Sequence, residues 1–117
     1  MVGKNQAYKT INSAIAQAQN GDTILVQKGH YKEGNINIQK SIALIGIGRP
    51  VLDGQMKYEI VSLRANKILL QGFKIINSGE DEVKNIGAVR LYDSQFSTIK
   101  NNIFENNYFG ITIQRGY

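Results

Sequence analysis

Ile36-Asn37-Ile38, two apolar residues around a polar one, is followed 25 residues later by Val61-Ser62-Leu63 and another 28 later by Val89-Arg90-Leu91. Ile111-Thr112-Ile113 follows after 22 more. Four occurrences of one alternation at such spacing mark an internal repeat. A second marker moves with the first. Leu44-Ile45-Gly46 returns 26 positions on as Leu70-Gln71-Gly72, and 29 later as Ile99-Lys100-Asn101, with Asn in place of Gly. The longer last interval fits an inserted polar loop, Gly79-Glu80-Asp81-Glu82-Val83-Lys84-Asn85. A period in the twenties, with short strands and no helix in each repeat, predicts a parallel β-solenoid. A leucine-rich repeat has a similar period, but its Leu/Asn consensus is absent.

The register then assigns directions. Residues one period apart lie about 4.8 Å apart in adjacent coils, the ordinary interstrand spacing. Ile36, Val61, Val89 and Ile111 form one inward stack, Ile38, Leu63, Leu91 and Ile113 a second, and Leu44, Leu70 and Ile99 begin a third wall. Further strands are read at Asp22 to Val26, Asn35 to Ile38, Ile42 to Gly46 and Pro50 to Gly54, with Lys28 to Tyr31 as a turn. Composition agrees with such coils: the 117 residues include 17 Ile, 12 Asn and 12 Gly but one Pro. Ile fills narrow strands packed on like neighbours, and Asn and Gly turn corners. Pro is excluded wherever a strand must donate its hydrogen bonds. Asn101-Asn102 and Asn106-Asn107 are corner pairs whose amides can bond neighbouring coils.

The first twenty residues differ. Thr10 can cap a helix from Thr10 to Gln19, with Ile11, Ala14, Ile15 and Ala18 on one face and Asn20-Gly21 as its stop. Laid over the first coil, such a helix covers an end that would otherwise expose unpaired edges. The expected organisation is therefore residues 1–21 as an N-terminal segment with a capping helix and residues 22–117 as coils. The last coil, Gly110 to Tyr117, carries no matching cover. The expectation is an N-terminal piece of a longer solenoid, or one closed by end-to-end self-association.

Several function classes are disfavoured. The longest apolar stretches run about four residues, as in Ile42 to Ile45, so no helix spans a membrane. No basic-then-apolar leader opens the chain, and without Cys there are no disulfides or thiolate metal sites. Net charge is +5, yet no basic run exceeds two residues and no nucleic-acid motif is present, so nucleic acid is not an expected partner.

The outward rows are Asn37, Ser62, Arg90, Thr112 and Gln39, Arg64, Tyr92, Gln114. Arg64, Arg90, Tyr92 and Gln114 make a candidate patch for a sugar, a carboxylate or a partner protein. Metal chemistry is not expected: His30 reads as an exposed turn residue, and Met56 shares no ligand spacing with it. Catalysis is not expected either, since no serine-elbow, phosphate-loop or His-based dyad motif is present. Asp53-Gly54 reads as turn chemistry, and Asp93, beside the arginines, is the one acidic residue worth testing.

The order Ala14-Ile15, Gly21-Asp22-Thr23-Ile24, Gly29-His30-Tyr31 with Glu33, Ile42-Ala43-Leu44-Ile45-Gly46 and Val51-Leu52-Asp53-Gly54 resembles the opening of the NosD family. These are periplasmic right-handed β-helix proteins of nitrous oxide reductase maturation, often labelled copper-binding. The likeness continues through Leu70-Gln71-Gly72-Phe73, Ile76-Asn77-Ser78-Gly79, Ile99 to Asn102 and Asn106 to Ile111, covering the chain from about Tyr8 to Gly116. It implies an all-β fold, a right-handed parallel β-helix of pectin-lyase-like type, here of about four coils with a short N-terminal capping α-helix. It also implies a periplasmic, non-enzymatic accessory that works with an ABC transporter membrane complex and helps insert copper into the reductase. No residue of this chain inherits the copper label, so no cofactor is expected in it. The alternative is a carbohydrate-binding or carbohydrate-active β-helix, a lyase or epimerase relative.

Overall fold

Period-two segments punctuated by Gly and Asn do become short strands. A computed structural model describes residues 1–4, 6–79, 87–107 and 109–114, the side chain of Gln114 excepted. The inserted loop expected from Gly79 to Asn85 falls, apart from Gly79, outside the described residues. Among the described residues one helix, α1 (Ile11–Gln17), precedes twelve strands. They are β1 (Thr23–Val26), β2 (His30–Tyr31), β3 (Ile36–Ile38), β4 (Ala43–Gly46), β5 (Val51–Asp53) and β6 (Val61–Leu63). Then come β7 (Leu69–Gln71), β8 (Lys74–Ile76), β9 (Val89–Tyr92), β10 (Thr98–Lys100), β11 (Ile103–Glu105) and β12 (Ile111–Gln114).

Every third strand joins the same sheet. Sheet A is β1-β4-β7-β10, sheet B is β2-β5-β8-β11 and sheet C is β3-β6-β9-β12, all parallel. This is a parallel β-helix with three faces and one strand of each face per coil. Ile36↔Val61↔Val89↔Ile111 and Ile38↔Leu63↔Leu91↔Ile113 are paired as the repeat requires, and so are Leu44↔Leu70↔Ile99. The interior is filled by these stacks and by one the sequence reading lacks, Tyr31↔Leu52↔Ile75↔Phe104 on sheet B. The stacks are closed in the middle coils, where Leu44, Leu52, Leu63, Leu70 and Ile75 are fully buried, with Tyr31 and Leu91 partly buried at their margins. They open on the last, where Ile111 and Ile113 are exposed.

One strand assignment is corrected. Lys28 to Tyr31 is not wholly a turn, because His30 and Tyr31 start sheet B by pairing with Val51 and Leu52. Two residues are too few to display an alternation.

The corners divide labour within each Asn pair. Asn101 and Asn106 take left-handed backbones, φ 56° and 54°, which Asn tolerates better than most residues. Asn102 accepts the Phe73 N–H at 2.9 Å and donates to the Leu70 carbonyl at 3.0 Å. Asn107 repeats this with the Ser78 N–H and the Ile75 carbonyl, both at 3.0 Å. Backbone groups that leave the ladder at a corner are thus paired by the next coil's amide.

The cap is held from outside. Thr10 is the N-cap, as its extended backbone and the bond from the Ser13 N–H at 3.2 Å show. The helix is shorter than expected. It ends at Gln17 with Ala18 as the C-cap, while Gly21 (φ 93°) turns the chain into β1. With no acidic residue in its first turn and no basic one in its last, the helix leaves both ends of its dipole uncompensated. Coil 1 compensates them. The Glu33 carboxylate accepts the Ile11 and Asn12 N–H groups at 2.6 and 2.9 Å. Lys40 Nζ donates to the carbonyls of Ile15, Ala16 and Ala18 at 2.8, 3.2 and 2.7 Å. Ile11, Ala14 and Ile15 are buried beneath. Glu33→Ala and Lys40→Met should each cost about 1 to 2 kcal/mol, read as a lower urea midpoint. Unchanged midpoints would show that apolar burial alone holds the cap.

Candidate binding face on the third sheet

The outward residues of sheet C are set by the β6–β9 and β9–β12 ladders, which put Ser62 opposite Arg90, Arg90 opposite Thr112, and Tyr92 opposite Gln114. Arg64 follows β6 by one residue and so comes level with Tyr92. Its guanidinium carbon lies 3.9 Å from the Tyr92 ring centroid, and that of Arg90 lies at 5.0 Å. Both distances fit cation–π contacts. Three of the four expected residues therefore meet around one ring. Gln114 is brought level with Tyr92 by its backbone, and its side chain lies outside the described residues.

A carboxylate underlies the cluster. Glu59 accepts the Tyr92 hydroxyl proton at 3.1 and 3.0 Å from its two oxygens, and it also accepts from the Ser62 hydroxyl. Asn35 donates to Ser62 Oγ at 2.8 Å and to the Glu59 carbonyl at 2.9 Å. Arg64 Nε donates to Asn37 Oδ1 at 3.0 Å. Burial, then the bond to Glu59 and its charge, push the Tyr92 phenol above its ordinary pKa; the two arginines pull only partly the other way. Tyr92 is thus a lasting donor. Glu59 is engaged by two hydroxyls.

The outward row expected through Ser62 is not open there: Ser62 is 1% exposed, bonded to Asn35 and Glu59. Glu59 and Asn35 were not legible as members of the site. The N–H groups of both Ile60 and Val61 donate to the single Ala88 carbonyl, at 3.1 and 2.9 Å. That is a β-bulge, and both residues are buried. The in–out alternation breaks one residue after Glu59, so counting by twos mislays its direction. The adjacent apolar pair Ile60-Val61 was the signal available.

Compared with known family models, curated proteins and solved structures, the chain matches none.

The residues considered for metal or acid–base chemistry occupy a different edge. His30 Nε2 lies 2.7 Å from Asp53 Oδ2, although the sequence carries no dyad motif. Asp53 Oδ1 accepts the Gln55 N–H at 2.8 Å and Asn77 Nδ2 at 3.2 Å, and Asn106 Nδ2 in turn donates to Asn77 Oδ1 at 2.7 Å. One polar ladder thus crosses four coils. Asp53 does serve its own turn, through Gln55, but it is 8% exposed and ties three coils together. Burial alone would raise its pKa; the bonds from Gln55, His30 and Asn77 and the charge of His30 outweigh that and hold it below the ordinary value. An ionised carboxylate only accepts, so His30 Nε2 is the donor of this bond. Met56 Sδ, on the second coil, sits 3.8 Å from Asn106 Nδ2 on the fourth. Among the described residues no three His, Cys, Asp or Glu side chains gather. Asp93 is exposed at a left-handed turn (φ 52°) just after Tyr92. No helix of the described residues is long and apolar enough to cross a membrane.

Proposed function

We propose that the chain is a non-enzymatic binding scaffold, an accessory of the kind the NosD resemblance implies. In that role it works in the periplasm beside an ABC transporter membrane complex, during copper loading of nitrous oxide reductase. Copper is handled by its partners and not by this chain. The supporting observation is the Arg64–Tyr92–Arg90 cluster on sheet C: two cations and an amphipathic ring fixed on a rigid sheet. Arg and Tyr are the residue types that dominate protein contact energies.

The test is binding of wild type and the Arg64→Ala/Arg90→Ala double variant to the purified transporter complex and to the reductase, by surface plasmon resonance. Loss of tenfold or more in affinity with an unchanged melting temperature supports the reading; Arg64 is exposed and Arg90 half-buried, so the melting temperature is what shows that the double variant still folds. Equal binding by both proteins, or none by either, overturns it.

A second reading, a carbohydrate-active β-helix, is favoured by the His30–Asp53 pair, which orients an imidazole as a base must be oriented. Cleavage or epimerisation of alginate or pectin oligosaccharides, lost in His30→Ala, would put this reading first.

A further inference from the structure

We infer that Arg64 is a carboxylate-binding fork and that the ligand of sheet C is an acidic segment of a partner protein. The inference rests on the binding-face reading above and names the chemistry it recognises. An arginine guanidinium has five N–H donors in a plane, and its two adjacent edges, Nε–Nη and Nη–Nη, can each grip an anion. At Arg64 one donor is used: Nε is bonded to Asn37. The plane is fixed by stacking 3.9 Å over Tyr92. The Tyr92 ring is itself fixed by its hydroxyl bond to Glu59. Among the described residues no carboxylate forms an ion pair with Arg64, because Glu59 is turned to Tyr92 and Ser62. The two Nη groups of this exposed residue are therefore an oriented pair of donors with no ion-pair partner among the described residues. Holding them costs little further side-chain entropy on binding, and this is what distinguishes a prepared anion site from a solvated arginine.

The surroundings decide between carboxylate sources. A sugar chain on a flat β-face uses open aromatic rings as stacking platforms. Here Arg64 and Arg90 both lie over the Tyr92 ring, the one aromatic ring among the described outward residues of sheet C. What is offered instead is charge, a guanidinium fork and a phenol edge, which match Asp or Glu side chains on an extended or looped peptide. The chain's net charge of +5 favours approach of an acidic partner at low salt.

The experiment measures fluorescence anisotropy of a labelled twelve-residue Glu-rich peptide, its all-Gln counterpart, and hexagalacturonate, against the whole chain at 50 and 300 mM salt. Wild type should bind the Glu peptide, lose affinity with salt, and bind the Gln peptide and hexagalacturonate at least tenfold more weakly. Arg64→Ala should weaken Glu-peptide binding tenfold or more. Arg64→Lys should weaken it nearly as much, because an ammonium keeps the charge and loses the fork. Tyr92→Leu, which removes the stacking ring, should fall between them, with thermal melts confirming that each variant folds. Lys32→Ala, exposed on another face, should bind as wild type does. Arg64→Lys matching wild type would overturn the fork. Tighter, Arg64-dependent binding of hexagalacturonate would overturn the peptide assignment and leave the binding face standing. Binding of none of the three probes would overturn the inference, and the transporter and reductase measurement would still judge the face separately.

Discussion

Gly72→Ala is expected to destabilise the chain by about 3 kcal/mol, the sum of a left-handed backbone penalty and a clash between coils. Gly72 has φ 88°, and a Cβ built on it would stand 2.6 Å from the Gly46 carbonyl oxygen of the coil before. The reverse holds at Gly46, where a Cβ would meet the Gly72 carbonyl at 2.6 Å and Pro50 Cδ at 2.7 Å. The obstacle at Gly72 is backbone, so no rotamer change relieves it. Two controls separate the contributions. Gly21 has φ 93° with nothing within 4 Å, so Gly21→Ala should show only the backbone penalty, about 1 kcal/mol. Gly110 also has open space around it and no left-handed backbone, so Gly110→Ala should be near neutral. Denaturant midpoints of the three variants check the ranking, and equal losses at Gly21 and Gly72 would remove the steric argument. The same position one coil on is Asn101, with φ 56°. Arg49, on the coil before Gly72, donates to this Asn101 carbonyl.

Asp53→Ala should cost a similar amount, about 3 kcal/mol, for a different reason. Three donors lose their acceptor at once: His30, the Gln55 N–H and Asn77. Each buried donor left unpaired costs about 1 to 3 kcal/mol, reduced where water can reach it, as at the half-exposed His30. Asp53→Asn should lose less, because its carbonyl oxygen can still accept from Gln55 and Asn77. The acid limb of stability carries the same signature. The folded Asp53 carboxyl has a lowered pKa, so its contribution is complete above the ordinary carboxylate value and fades as pH falls through the folded value. Wild type should lose stability across that acid range, and Asp53→Asn should show a shallower fall there. Identical pH profiles for the two proteins would refute the linkage.

How much of this could be read from the chain depends on local rules that hold or break. The three stacks through Ile36, Ile38 and Leu44 were legible because like residues recur at like positions, and parallel pairing forces such rows to coincide. The sheet B stack was not. Tyr31, Leu52, Ile75 and Phe104 differ in size and shape, and a column of unlike residues leaves no repeat to detect. Arg64, Arg90 and Tyr92 follow from the register alone. Glu59 does not, because the bulge at Ile60 and Val61 shifts the count. The His30–Asp53 pair escaped for a third reason: its members sit 23 residues apart, and nothing around either one announces the other.

The two-ended grip on α1 has a consequence for how local order is distributed. A seven-residue helix is well below the length that survives unaided in water. Glu33 and Lys40, which hold its ends, flank β3 on the first coil. The helix therefore has no independent melting of its own. It closes only on a finished first coil and opens with it, so the amino-terminal helix and the β2–β3 segment make one cooperative unit, gaining and losing amide protection together.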